Sequence, residues 1–220
     1  MIEVAKAGKV KIAPNNSPTT LKWHQTDAIK ALNSSITPHS AFAGLLVMPT
    51  GAGKTFTAAY WLLQNILNHH KKLLWIAHRH ELLAQALRTF VANASAELLP
   101  NRQDFQYRII SGLAEHDQPV NIQPADDLIV ASKDSLQQRG LNYLLERWTG
   151  GQDEIFLVID EAHHATAKTY RFIIDSLSRH IPRLKILGLT ATPIRTSGNL
   201  PDPRSQPFAR PRLGTGIFAA

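Results

Sequence analysis

Short continuous apolar runs alternate with stretches in which apolar positions recur every three or four residues. Ala43–Met48, Leu73–Ala77, Tyr107–Ser111, Leu128–Ser132, Ile155–Ile159 and Leu184–Leu189 are runs of the first kind and read as buried strands. Thr20–Leu32, Lys54–Leu67, Glu81–Ala94, Leu141–Arg147 and Tyr170–Ser178 read as helices, the first with a polar start and apolar positions at Leu21, Ala28, Ile29 and Leu32. This alternation predicts βαβ units: an α/β fold with a mainly parallel sheet, helices on both faces and right-handed crossovers. Ligands of such sheets bind beyond the carboxyl ends of the strands. Polar motifs at those ends are therefore expected to converge.

The pattern fails at both ends. Pro14-Asn15-Asn16-Ser17-Pro18 closes a turn-rich lead-in, residues 1–18. Beyond Arg195, Pro201, Pro203, Pro207 and Pro211 recur with Gly198, Gly214 and Gly216 and with no hydrophobic period, so residues 196–220 are expected to be an irregular tail. Residues 19–195 form the expected globular unit.

A chain of 220 residues that is 44% hydrophobic and 19% charged fits one α/β domain with extensions. It has no run of eighteen apolar residues, which excludes a membrane-spanning helix. The absence of cysteine excludes disulfides, a thiol nucleophile, iron–sulfur clusters and thiolate-bound zinc. Met1–Ala13 lacks the apolar core of a secretory leader, so a cytoplasmic location is expected. The net charge of +7 fits a polyanionic partner, although Arg195, Arg204, Arg210 and Arg212 against Asp202 put three of those charges in the tail.

Met48-Pro49-Thr50-Gly51-Ala52-Gly53-Lys54-Thr55 stands between a strand and a helix, the context a phosphate-binding loop needs. Gly51 and Gly53 let the backbone curl so that several N–H groups, including those of Thr50 and Ala52, point at one anion. The positive end of the new helix adds to the field. Lys54 would reach the β- and γ-phosphates, and Thr55 would offer its hydroxyl to Mg²⁺. The strict pattern has glycine where Met48 stands. Asp160-Glu161-Ala162-His163 follows the strand Ile155–Ile159. An aspartate there, beside a phosphate loop, can hold Mg²⁺, and the adjacent glutamate can deprotonate an attacking water. His163 and His164 do not read as a metal site, because consecutive side chains diverge and no third ligand is suitably spaced. His69, His70, His78 and His80 read as solvated or structural.

The order of these motifs, followed by Thr190-Ala191-Thr192-Pro193, resembles the superfamily 2 DEAD/DEAH-box helicases, in the branch of restriction-enzyme motor subunits and related bacterial helicases. The resemblance runs from Leu21 to Arg195. It implies a RecA-like P-loop domain that binds ATP and Mg²⁺ and couples hydrolysis to nucleic acid, DNA rather than RNA. Within it, Leu21-Lys22-Trp23-His24-Gln25 resembles the adenine-reading segment, with Gln25 on the base and Trp23 either stacking near it or packing. Leu74–Gln85 and Val130–Leu136 resemble the two strand-tracking segments, which makes Arg79, Ser111, Gly112 and Lys133 candidates for phosphate contacts. His163, Thr190, Ala191 and Thr192 are implied in coupling the γ-phosphate to domain movement.

Members of that family carry a second motor domain with an arginine finger, whereas this chain ends at Ala220, shortly after Pro193. The expectation is a first motor domain that needs a second one, or nuclease and methyltransferase partners, for full function. A truncated nucleotide- or nucleic-acid-binding module without useful turnover is the alternative. A kinase would need an acceptor site, and none is visible.

Overall fold

The structure is a computed structural model; it describes residues 5–14, 17–36, 41–164, 168–192 and 217–218. The strands are β1 (Ala7–Lys11), β2 (Phe42–Val47), β3 (Lys72–Ala77), β4 (Asp104–Ile110), β5 (Leu128–Ser132), β6 (Glu154–Ile159), β7 (Arg183–Thr190) and β8 (Ile217–Phe218). The helices are α1 (Trp23–Ser35), α2 (Lys54–Asn65), α3 (His80–Ala92), α4 (Gln138–Arg147) and α5 (Lys168–His180). The strands form one sheet in the order β1-β4-β5-β3-β6-β7-β2-β8. Every neighbouring pair is parallel except β1 with β4.

The central strands show why continuous apolar runs form here. Along β3, Leu73, Trp75 and Ala77 face one side and Leu74 and Ile76 the other, and all five are fully buried. The first side packs against α1, α2 and α3, the second against α4 and α5. Each helix presents one apolar stripe, such as Leu83, Ala86, Leu87 and Phe90 on α3 and Tyr170, Ile173, Ile174 and Leu177 on α5.

Two differences from the sequence pattern concern the sheet edges. The lead-in contains β1, an antiparallel edge strand whose single buried residue is Val10. Its lysines, Lys9 and Lys11, face solvent, as edge strands require, and so leave no apolar run to read. The tail contributes β8, paired in parallel with Leu46 and Val47 of β2; the rest of residues 193–220 lies outside the described residues. The first helix starts at Trp23 rather than Thr20, because the Gln25 side chain accepts from the Lys22 N–H at 2.9 Å and fixes the first turn there. No helix among the described residues is long and apolar enough to cross a membrane.

Candidate functional site

The carboxyl ends of β2, β7 and β6 lie side by side, so the loops that leave them share one edge of the sheet. The ladder between β2 and β7 continues into the loop through Met48 N–H to Thr190 O at 3.1 Å. Met48 is 1% exposed, in the core, and its backbone is not left-handed, which is why this position does without glycine. Pro49, Thr50 and Gly51 are exposed, and Ala52 N–H closes the turn on Pro49 O at 3.1 Å. Gly51 and Gly53 have φ of 81° and 86°, a region costly for any residue with a Cβ. At Gly53 a Cβ would also meet Gln25 Nε2 at 2.6 Å.

From Gly53 the chain enters α2 directly. The helix has no acidic residue in its first turn and no side-chain cap, so its amino end presents uncompensated positive potential to the loop. Lys54 has no hydrogen-bond or ion-pair partner among the described residues. Thr55 is half-buried beside it.

Asp160 extends β6 by donating its N–H to Ile76 O at 2.8 Å. Its carboxyl is 4% exposed and is pushed up to about 6, chiefly by burial. The Glu161 N–H, 3.0 Å from Oδ1, and the ammonium group of Lys54 oppose that rise, while the Glu161 charge adds to it. One strand, β7, separates β2 from β6, so the strand ends that lead to Lys54 and Asp160 are about 10 Å apart, and the Lys54 charge reaches Asp160. Glu161 has φ of 52°, strain that a non-glycine residue holds only where the surroundings fix it.

Glu161 Oε2 lies 3.3 Å from His163 Nδ1, which also lies 3.5 Å from Thr190 Oγ1. The Thr190 hydroxyl donates to Thr192 O at 2.9 Å and accepts from Thr192 N–H at 3.3 Å. With its one proton so used, the hydroxyl meets His163 as an acceptor, which puts the imidazole proton on Nδ1. Glu161, His163, Thr190, Ala191 and Thr192 thus form one connected patch across the tips of β6 and β7.

Gln25 lies against the loop with its Nε2 donating to Ala52 O at 3.1 Å. Its second N–H and second lone pair are the capacity left for a base. His24, quoted in the sequence only as part of the adenine-reading segment, has its Nε2 3.2 Å from the same carbonyl, and Tyr170, which the sequence did not single out, is fully buried with no hydrogen-bond partner for its hydroxyl among the described residues. Burial and then the Asp160 carboxylate hold that phenol above its usual range. The His24 contact joins two segments 28 residues apart, and no spacing in the sequence marks Tyr170.

Arg79, Gly112 and Lys133 follow β3, β4 and β5, on the other half of the same edge. Arg79 and Gly112 are exposed, while Lys133 is paired with Asp134 at 2.7 Å. Ser111, the fourth candidate for a phosphate contact, is buried. It is 3% exposed, its Oγ is 2.7 Å from His116 Nδ1, and it accepts from Leu113 N–H. That hydroxyl braces the loop after β4.

The model of a known family, the Type III restriction enzyme res subunit, matches residues 19–195. The chain belongs to this family. The domain is accordingly a helicase-type ATP-binding motor domain with a RecA-like fold. It is 31% identical over 184 residues to a Saccharomyces cerevisiae protein named as the ATP-dependent helicase IRC3, covering 80% of this chain and 24% of that one. It is 28% identical over 196 residues to a Schizosaccharomyces pombe protein named as the ATP-dependent DNA helicase fml2, covering 82% and 22%. The chain therefore spans about a quarter of the length of these curated relatives. The helicase domain of Pyrococcus furiosus Hef shares the fold, with a TM-score of 0.57 at 20% identity over 90% of this chain and 37% of that one.

Proposed function

We propose that this chain binds and hydrolyses MgATP at the tips of β2, β6 and β7, as the first motor domain of a helicase or translocase. The operative unit is residues 19–195, with 1–18 and 196–220 as flanking segments. The observation that carries the reading is a glycine loop opening onto a helix amino end, whose unpaired lysine acts electrostatically on a buried aspartate.

The amides of Pro49–Thr55 other than proline's surround the phosphates, with Gly51 and Gly53 supplying the curl. Lys54 neutralises the β- and γ-oxygens, and Gln25 holds the adenine while bracing Ala52. Glu161 takes the proton of the attacking water. No group of three or more acidic or histidine ligands gathers among the described residues. A Thr55 hydroxyl and one carboxylate, Asp160, suit a small hard cation that arrives with phosphate and water oxygens. Mg²⁺ held there would neutralise charge developing on the phosphates. The raised proton affinity of Asp160 is the state to be relieved by such a dication.

His163, Thr190, Ala191 and Thr192 carry the state of Glu161 to the end of β7. Arg79, Gly112 and Lys133 contact the backbone of a nucleic acid without reading its sequence. DNA is the favoured strand, in line with the name of the fission-yeast relative. Residues 48–55, 160–164 and 190–192 contain no arginine. A charge-stabilising arginine from a second motor domain would raise turnover by roughly 10³–10⁵. Nuclease or methyltransferase subunits are further partners of such a motor.

The test is phosphate release by the purified chain with and without single-stranded DNA. Wild type should release phosphate and Glu161→Gln should not, while both bind MgATP. Binding without any turnover in either would leave a nucleotide-binding module instead.

A further inference from the structure

The cleft between the start of α4 and α5 takes Asp134 and Ser135 from the second strand-tracking segment, but its α4 and α5 walls belong to no motif in the sequence. It has a volume of about 720 Å³, open to solvent, and its walls include Asp134, Ser135, Gln138, Arg139, Lys168 and Phe172. One wall is rigid. α4 packs so closely on the turn after β5 that a Cβ at Gly140 would lie 1.8 Å from Ser135 O.

The lining has an uneven chemistry. Phe172 is its large apolar residue and is 41% exposed, on a helix whose other large apolar side chains are buried. Arg139 holds its guanidinium 5.9 Å from the Tyr143 ring centroid, which orients it without neutralising it. Neither Arg139 nor Lys168 has an acidic partner among the described residues. Asp134 does, since Lys133 lies 2.7 Å from it. The cleft is thus cationic, carries polar side chains at Ser135 and Gln138, and offers one aromatic face. A peptide-binding groove would need a broader apolar floor. A single strand of nucleic acid needs this combination: fixed cations along its phosphates and an aromatic ring under a base. The cleft residues Asp134 and Ser135 directly follow Lys133 in the chain, next to the β3–β5 half of the edge.

We propose that this cleft is a binding groove for single-stranded nucleic acid, in which Phe172 stacks on one base and Arg139 and Lys168 take the flanking phosphates. The proposal rests on the reading of the chain as a nucleic-acid motor. It adds a base contact to one that otherwise touches only backbone.

The test is binding of fluorescent oligo(dT), and of an abasic oligomer of the same length, to the full chain. Phe172→Ala should weaken oligo(dT) binding by about fivefold to a hundredfold. It should leave the abasic oligomer unaffected, and Phe172→Tyr should restore the loss. Arg139→Gln and Lys168→Gln should weaken both probes, each lowering the slope of log affinity against log salt by roughly 0.7. Thermal melting checks that each variant folds. If Lys133→Gln weakens oligo(dT) while the cleft variants bind as wild type, the cleft serves something else, such as a protein, and the proposal is overturned alone. If wild type takes up MgATP but binds neither probe, the nucleic-acid part of the proposed function falls with it.

Discussion

Gln25 Nε2 donates to the carbonyl oxygen of Ala52 at 3.1 Å, tying the first turn of α1 to the middle of the phosphate loop. The same amide receives the Lys22 N–H, so the side chain is a strut between two backbones as well as a group for a base. Gln25→Ala leaves Ala52 O half-buried with one fewer donor, and the loop less fixed. Titration with a fluorescent adenine nucleotide should show affinity lowered by about tenfold, the size of one hydrogen bond of about 1.4 kcal/mol. A guanine nucleotide should lose as much if the strut dominates and less if base contact does.

The pH dependence of stability should expose Asp160. Its carboxyl has an affinity for protons raised to about 6 in the fold, against 3.8 unfolded. Between these values the native state holds the extra proton, so stability falls as pH rises from about 4 through 6. A shift of about two units costs roughly 3 kcal/mol at neutral pH. In buffer with chelator and no nucleotide, Asp160→Asn should therefore melt several degrees above wild type at pH 7.5, and the gap should close near pH 4. The same variant should lose Mg²⁺-dependent nucleotide uptake. Equal melting at pH 7.5 would contradict this account.

The site was legible in the sequence because its parts are short, contiguous and placed at strand ends. Gly51 to Thr55 and Asp160 to His163 need no tertiary knowledge once β2 and β6 are recognised by their apolar runs. The strands on the sheet edges were not legible: β1 keeps one residue, Val10, in the core, and β8 lies in a segment rich in proline and glycine. Nor were the contacts Gln25–Ala52 and Ser111–His116, or the meeting of Arg139 and Phe172 in the lining of one cleft, since they depend on how separate segments or a folded loop come together. Ser111 shows the cost: its type and place fit a phosphate contact, yet a hydroxyl that meets a buried imidazole turns inward.

Thr190 should act on coupling and not on nucleotide affinity. Its hydroxyl joins His163, and through it Glu161, to the Thr192 backbone beyond β7. Thr190→Ala removes that junction, together with the γ-methyl, in a fully buried position. Thr190→Ser retains it. Steady-state hydrolysis should show the Ala variant with normal nucleotide binding and a loss of the stimulation given by single-stranded DNA, and the Ser variant close to wild type. Equal stimulation in both would remove the junction from the coupling route.

His116 should make the loop after β4 sensitive to acid. The imidazole is 9% exposed, bonded to the Ser111 hydroxyl, and held below its usual proton affinity by burial first and by His80 next, with Glu115 opposing. A histidine depressed in this way binds its proton more readily unfolded. Its contribution to stability is complete above pH 6.5 and is lost as pH falls below that value. Asp160 has the opposite slope below pH 6, so the wild-type curve mixes the two. In an Asp160→Asn background the histidine slope stands alone. Melting temperature there should drop between pH 7 and pH 5, and His116→Gln, which keeps a polar partner for Ser111, should flatten that drop. Parallel curves for the two proteins would assign the acid sensitivity to another group.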